Sequence, residues 1–269
     1  MTVPTGEQIE TGAEATAPAT ALQPVRPQRR TLLGYLFMPA FLALVLLVLY
    51  LYVNSQDLDS IERRALDFGD LLDSIWRHVQ ITVVTTVFVI LIAVPLGILL
   101  TRSFAGGIRP PVLAISNIGV AVPTIAVLAL MAVAWGFLGF TAAVVALVAY
   151  TVLPVLRNTM VGLQQVDENI LEAGRGMGIS KLGVLTRIEL PLAVPIILAG
   201  VRTALVINVG AATLATYIAA GGLGDVIVAG LSTNRITVQI AGGVLTAVLA
   251  LLVDYIAGIA EDVLRPKGL

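Results

Sequence analysis

Six long apolar segments constrain the fold of this chain more than any other feature. A transmembrane helix needs about 20 consecutive, mostly apolar residues to cross the hydrocarbon core of a bilayer. Charged residues make up only 12% of the chain, against roughly 25% in an ordinary soluble domain. The sequence therefore predicts an all-α, polytopic membrane bundle of about six transmembrane helices within residues 31–269. The predicted spans are residues 32–53, 79–100, 111–134, 139–156, 192–217 and 237–260, of which the fourth is short.

The charges between the apolar segments predict the orientation of the chain. Residues 1–30 are rich in Thr, Ala, Pro and Glu with almost no large apolar side chains, which predicts a disordered tail. Basic residues precede the first span and recur in every second connection after it, whereas the first loop on the opposite side is dominated by Asp and Glu. Because Lys and Arg are retained inside, we expect both termini in the cytoplasm and the bundle in the cell membrane.

Several kinds of chemistry are excluded by the composition. The chain has no cysteine and a single histidine, His78, so neither thiol chemistry nor a histidine metal site is expected. The net charge of -1 gives no reason to expect a nucleic-acid partner. The sequence contains no Gly-x4-Gly-Lys-Ser/Thr phosphate loop, so we expect no ATPase activity and no cofactor in this chain.

The loop 158–191 holds the longest polar interruption in the second half of the sequence. Asp167 is a suitable N-cap for a helix over Glu168–Met177, and Gly178 is a suitable stop at its C-terminal end. Ser180 is a suitable cap for a second helix. This second helix is predicted to end before Pro191, because the residue preceding a proline is disfavoured in the helical conformation.

The first of these helices carries Glu172 beside the small residues Ala173 and Gly174, which leave its backbone almost bare, so that another surface can approach closely. Gly178 follows four residues after Gly174, and Leu190 and Pro191 end the segment. The pattern resembles the EAA signature of the permease subunits of bacterial ABC importers. The resemblance implies a type I ABC importer permease (MetI-like) fold, in which this segment is the coupling helix that docks into a cleft on a separate ATPase subunit. The alternative is a plain loop helix, which would not need this spacing. The residues that carry the resemblance are Glu172, Ala173, Gly174, Gly178, Leu190 and Pro191.

Further matching pieces lie at Leu153–Thr159, Gly200–Ala204 and Ala220–Gly224. With these pieces, the chain from about residue 78 to its end resembles one branch of these permeases, which serves osmoprotectants such as glycine betaine, carnitine, choline and proline betaine. The resemblance implies a small quaternary-ammonium solute, ABC ATPase subunits, an extracytoplasmic solute-binding protein, and a second permease copy or a paralogue. Ala219 stands where the family usually has a glycine. The matching pieces are Leu153–Thr159, Glu172–Gly178, Glu189–Leu192, Gly200–Ala204 and Ala220–Gly224.

Other functions stay open at this point. Parts of the match are shared with methionine-type permeases, so another small solute such as an amino acid is an alternative cargo. An ion-coupled secondary transporter is a different class, although no convincing internal repeat of broken helices is found. A membrane scaffold without transport would leave the helix around Glu172 without a purpose.

Polar residues inside the predicted spans are candidates for structural contacts or for the transport pathway. Arg202 lies near mid-bilayer, where a charge must face protein or water, and Asp254 is its expected partner. A structural ion pair is preferred to a substrate contact. The pathway candidates are Thr85, Asn208 and Thr213. The alternative for the threonines of the second span is that their hydroxyls bond carbonyls of their own or a neighbouring helix.

The segments on the outer side are interpreted as interfacial structure. Trp135, Phe137 and Phe140 form an aromatic cluster, which is more typical of a membrane-interface belt than of a cage for a quaternary ammonium ion. Residues 57–77 predict an amphipathic helix or helix pair that packs on the bundle, and residues 221–231 predict a glycine-rich turn with a short helix.

Overall fold

The computed structural model describes residues 32–264, with side chains from residue 35 onward. The predicted tail, residues 1–30, lies outside the described residues. Between residues 32 and 264 the chain is helical with no strand, which confirms the all-α prediction. The helices are α1 (Leu32–Asn54), α2 (Ser60–Ala65), α3 (Phe68–Thr101), α4 (Arg109–Ala121), α5 (Thr124–Trp135), α6 (Gly139–Gln164), α7 (Glu168–Gly176), α8 (Lys181–Val184), α9 (Leu190–Ala212), α10 (Leu223–Ser232) and α11 (Ile236–Leu264). Short 3₁₀ segments occur at Ser103–Ala105 and Thr213–Ile218, and a π-helical turn at Leu185–Glu189.

Helices α3, α6 and α9 form the centre of the bundle, and each packs against the other two. Small residues lie where these helices cross. A Cβ atom added to Gly97 would lie 2.7 Å from Thr159, and one added to Gly200 would lie 2.6 Å from the Asn158 side chain. Contacts this short leave no room for a larger residue. Close backbone approach of this kind stabilises helix pairs in lipid, where apolar side chains gain nothing by leaving the solvent.

The third predicted span is wrong in its geometry. Five described helices are long and apolar enough to cross a membrane, and a sixth span exists if α4 and α5 are counted together. However, α4 and α5 meet at an angle of 91°. The cause is Pro123, which has no N–H for the helix ladder and holds Val122 in an extended conformation, at ψ 129°. The fourth predicted span is longer than expected, because α6 continues as a helix to Gln164.

The end of the bundle opposite α7 is tied together by polar contacts. Asp59 caps α2 and forms a capping box with Glu62, and its carboxylate also lies 2.6 Å from Arg235 at the start of α11. The predicted amphipathic segment 57–77 is therefore the short helix α2 followed by the first turns of α3. The predicted short helix near residues 221–231 is α10, which packs on α11.

Candidate functional site

The connection between α6 and α9 forms a compact helix pair, α7 and α8. The Asp167 carboxylate accepts the N–H of Asn169 at 2.9 Å, and Ser180 Oγ accepts the N–H of Gly183 at 3.2 Å. Both predicted N-caps are confirmed. Because each cap satisfies a backbone donor that has no partner inside its helix, the two starts are fixed by local sequence.

The turn between α7 and α8 is fixed by Gly178. Its φ is +79°, in the left-handed region that glycine adopts without steric cost. Its N–H donates to the Arg175 carbonyl at 2.9 Å, and the Ile179 N–H donates to the Gly174 carbonyl at 3.2 Å. These two bonds are a Schellman motif, and the predicted stop at Gly178 is confirmed. The pair is therefore a defined structure with hydrogen-bonded ends.

Pro191 does not end a helix, contrary to the sequence prediction. Leu190 keeps helical dihedrals, φ -63° and ψ -50°, and α9 begins at this residue. Pro191 lies in the first turn of α9, where its missing N–H would have no intrahelical partner in any case. The π-helical turn Leu185–Glu189 joins α8 to α9 without a break, so Leu190 and Pro191 are the first residues of α9 and no helix ends at them.

Helix α7 has an inner face that packs on its own chain. Leu171 and Gly174 are buried, and a Cβ atom added to Gly174 would lie 2.7 Å from Ile188 Cδ1 of the π-helical turn. The sequence predicted that another protein would closely approach α7 at Gly174. In the structure that approach is to Ile188, because the π-helical turn carries this side chain beneath α7.

The outer face of α7 is exposed and partly apolar. Glu172 and Ala173 are exposed, as are Ile170 and Met177, with exposed fractions of 46% and 74%. Ile170, Ala173 and Met177 lie three and four positions apart, so they form one stripe along the helix. Leu182 of α8 adds a further apolar side chain, 69% exposed. We call Ile170, Glu172, Ala173, Met177 and Leu182 the α7 surface. Apolar side chains gathered on a polar connection are typical of a contact with another protein.

A charged cleft of about 920 Å³ lies beside the helix pair and reaches the end of α3. Within it the Arg102 guanidinium donates from Nη2 to Glu189 Oε1 at 2.5 Å and from Nη1 to Oε2 at 3.1 Å. Glu189 is only 6% exposed. Sequence reasoning missed this pair. The available signal was Glu189 itself, an acid directly before Leu190 and Pro191 in a matched piece of the family.

Arg202 and Asp254 lie in contact. Arg202 donates from Nε to Asp254 Oδ1 at 2.5 Å and from Nη2 to Oδ2 at 2.7 Å, and Glu261 lies 3.7 Å from the same guanidinium. A bidentate pair of this kind joins α9 to α11 and compensates both charges. The geometry is that of a structural clamp between two long helices.

The pathway candidates differ in their exposure. Thr85 and Asn208 are fully buried between the central helices, whereas Thr213 is partly exposed at the end of α9. Asn208 Nδ2 donates to Thr86 Oγ1 at 3.1 Å, and Asn208 Oδ1 lies 3.2 Å from Thr151 Oγ1. Asn208 thus bridges α9 to α3 and α6. The alternative interpretation of these threonines holds for Thr86, whose hydroxyl donates to the Thr82 carbonyl at 2.8 Å. It does not hold for Thr82 and Thr85, whose buried hydroxyls have no hydrogen-bond partner among the described residues.

The aromatic cluster does not form an open cage. Trp135 and Phe137 are exposed, and the face of the Phe140 ring is covered by Arg77, whose Cζ lies 4.5 Å from the ring centroid. Arg77 thus occupies the place where a quaternary ammonium ion would lie. The neighbouring His78 is fully buried: its Nε2 donates to the Val209 carbonyl at 2.9 Å, and its Nδ1 accepts the Leu223 N–H at 3.2 Å.

Comparisons with known proteins agree on one family. The family model described as binding-protein-dependent transport system inner membrane component matches residues 93–266. The choline transport system permease protein OpuBB of Bacillus subtilis is 40% identical over 75% of this chain and 91% of its own length. The glycine betaine/carnitine/choline transport system permease protein OpuCB of the same organism is 41% identical over 75% of this chain and 91% of its own length.

The fold agrees with these sequence matches. A chain from an inward-facing structure of the MetNI methionine ABC transporter superposes with a TM-score of 0.65 at 26% identity, over 74% of this chain and 97% of that chain. The family match covers α6, α9, the C-terminal end of α3 and the whole α7–α8 connection. This chain belongs to the family of binding-protein-dependent transport system inner membrane components.

Proposed function

We propose that this chain is the permease subunit of an ABC importer that carries a small quaternary-ammonium osmoprotectant, such as choline or glycine betaine, across the cytoplasmic membrane. The observation that carries the proposal is the match, over three quarters of the chain, to permeases named for choline, carnitine and glycine betaine transport. The structural likeness to the methionine transporter supports the shared fold. The methionine transporter supports an amino-acid cargo less strongly than the choline permease supports a quaternary-ammonium cargo, because its sequence identity to this chain is 26% rather than 40%.

The energy for transport comes from a partner ATPase, since no phosphate loop occurs in this sequence. The α7 surface is our candidate for the docking site. It combines an exposed acid with apolar side chains on a helix whose two ends are hydrogen-bonded. A helix with hydrogen-bonded ends and an exposed apolar stripe fits a cleft on another protein in the way that amphipathic helices fit grooves.

The remaining partners follow from the family. We propose that a second copy or a paralogue completes the transport pathway, that an extracytoplasmic protein delivers the solute, and that the α7 end faces the cytoplasm. The charge pattern supports this orientation, because Arg102, Arg175 and Lys181 all line the cleft at the α7 end. Selection of the solute belongs to the delivering protein, since Arg77 already covers the Phe140 ring.

The test is uptake by liposomes that contain this permease with its ATPase and are supplied with the solute-binding protein. We expect ATP-dependent accumulation of labelled choline or glycine betaine and no accumulation without nucleotide. Uptake of methionine but of neither ammonium compound would contradict the proposed cargo. Uptake by the permease alone, driven by an ion gradient, would contradict the importer class.

A further inference from the structure

We infer that the Arg102–Glu189 ion pair is the positioning contact that transmits movement of α7 to the membrane-spanning helix α3. The inference rests on the proposed function, because it assumes that α7 receives its movement from an ATPase. It concerns a pair of residues that lie outside the α7 surface.

The Arg102 side chain is held by hydrogen bonds to the C-terminal end of α3. Its backbone N–H donates to the Leu99 carbonyl at 3.1 Å and caps the helix. Its side chain turns back over the same helix end, where Nε donates to the Ile98 carbonyl at 3.1 Å and Nη2 to Thr101 Oγ1 at 3.0 Å. A cation at the C-terminal end of a helix is also stabilised by the helix dipole. The guanidinium is therefore held by α3 before it contacts Glu189.

Glu189 belongs equally rigidly to the helix pair. It ends the π-helical turn, and its neighbour Ile188 is the residue that packs beneath Gly174 of α7. One turn of backbone thus carries a contact to α7 on one side and a bidentate ion pair to α3 on the other. A π-helical turn within a longer helix is often found at functional sites.

The strength of the contact follows from its burial. The side chain of Glu189 is 8% exposed and that of Arg102 is 32% exposed. Separating such a pair would leave a carboxylate almost without solvent, which is far more costly than separating an exposed pair. When α7 moves, α3 is therefore expected to move with it. The same loop carries a matched control, the Arg175–Glu168 pair, whose side chains are 49% and 64% exposed at a distance of 2.8 Å. An exposed pair of this kind contributes little.

The first experiment measures solute uptake per ATP hydrolysed in liposomes that contain the complete importer. We expect Glu189→Gln to keep ATP hydrolysis within about twofold of the unaltered protein while uptake per ATP falls at least about tenfold. Glu168→Gln should leave both quantities unchanged. The exchange variant Arg102→Glu/Glu189→Arg should recover part of the lost uptake, which a purely local structural defect would not. Uptake per ATP in Glu189→Gln within about twofold of the unaltered protein would overturn the inference.

A second variant covers the case in which Glu189→Gln does not assemble with the ATPase. Glu189→Asp keeps the charge but shortens the side chain, so that the two bonds to Arg102 cannot both form. We expect an intermediate fall in uptake per ATP, and an unchanged ratio would equally overturn the inference.

A spectroscopic measurement separates this inference from the proposed function. Because the chain contains no cysteine, spin labels can be attached at two introduced cysteines, at exposed Ser103 next to α3 and exposed Asn169 in α7. In the intact importer we expect one narrow distance between the labels, with and without ATP. In Glu189→Gln we expect a broadened distribution when ATP is added. Identical distributions in the two proteins would contradict the inference, whereas a failure of solute uptake in the unaltered importer would contradict only the proposed function.

Discussion

Replacing Gly174 by tryptophan should weaken the packing of α7 on the π-helical turn. A Cβ atom at this position would lie 2.7 Å from Ile188 Cδ1 and 3.6 Å from Val184 Cγ2, whereas carbon atoms in contact prefer about 3.5–4.0 Å. Ile188 must therefore move by about 1 Å for the Cβ atom alone, and the much larger indole ring would have to be accommodated at a buried position. Overpacking of this kind costs about 1–3 kcal/mol. Losing a helical glycine offsets at most about 1 kcal/mol of that cost.

We therefore expect α7 to be destabilised by about 1–2 kcal/mol, which raises the open population by roughly 5- to 30-fold. The assay is hydrogen exchange of the α7 amides in the permease alone, where docking to a partner plays no part. The control is Gly176→Trp, because a Cβ atom at Gly176 has no heavy atom within 4 Å. Its exchange rates should stay within about twofold of the unaltered protein. Equal exchange rates in the two tryptophan variants would refute the assignment of Gly174 to internal packing.

A companion variant separates packing from docking. Ala173→Trp places the same bulk on the exposed face of α7, so the exchange rates of the isolated permease should not change. Co-purification of the ATPase with this variant should fall at least about tenfold, which corresponds to about 1.4 kcal/mol of lost binding. ATPase binding at the unaltered level would contradict the proposed α7 surface.

Two further predictions concern a strained backbone position and a buried polar side chain. Ala219 has φ +57°, and a left-handed conformation costs a non-glycine residue about 1–2 kcal/mol. We therefore expect Ala219→Gly to stabilise the protein by about 1 kcal/mol. The measurement is the midpoint of thermal unfolding in detergent, which should rise; a lower midpoint would contradict the reasoning. Asn208→Ala should lower the stability of the protein by about 1–2 kcal/mol, since it removes two interhelical contacts and leaves a small cavity. Solute uptake should persist, because Asn208 is fully buried. Complete loss of uptake by a folded variant would support a role for Asn208 in the transport pathway.

The features that sequence reasoning predicted correctly depend on local chemistry. Asp167 and Ser180 cap the helices that follow them, and Gly178 adopts the positive φ that ends α7. Each of these depends on a few neighbouring residues. The Arg202–Asp254 contact spans a long sequence separation, but charges are so rare inside the spans that only few pairings were possible.

The features that sequence reasoning missed depend on tertiary packing. Pro191 was expected to end a helix, but the π-helical turn before it realigns the backbone so that the proline enters α9 in its first turn. Gly174 was assigned to an external contact because nothing in the sequence places Ile188 beneath it. Arg102 and Glu189 both lie at helix ends, where charges are common, so no pattern identified them as partners.

The 91° bend between α4 and α5 also has a consequence for how the subunit sits among lipids. The two helices have 13 and 12 residues, or about 18–20 Å each, which is too short to cross a hydrocarbon core of about 30 Å. Counted together as one broken span, the pair has its junction at membrane depth, and no side chain caps the first N–H groups of α5. Acyl chains offer no hydrogen-bond acceptor, so the junction between α4 and α5 must contact water or be covered by protein. Exposed Pro123 thus marks a flank of the subunit that is turned away from the acyl chains.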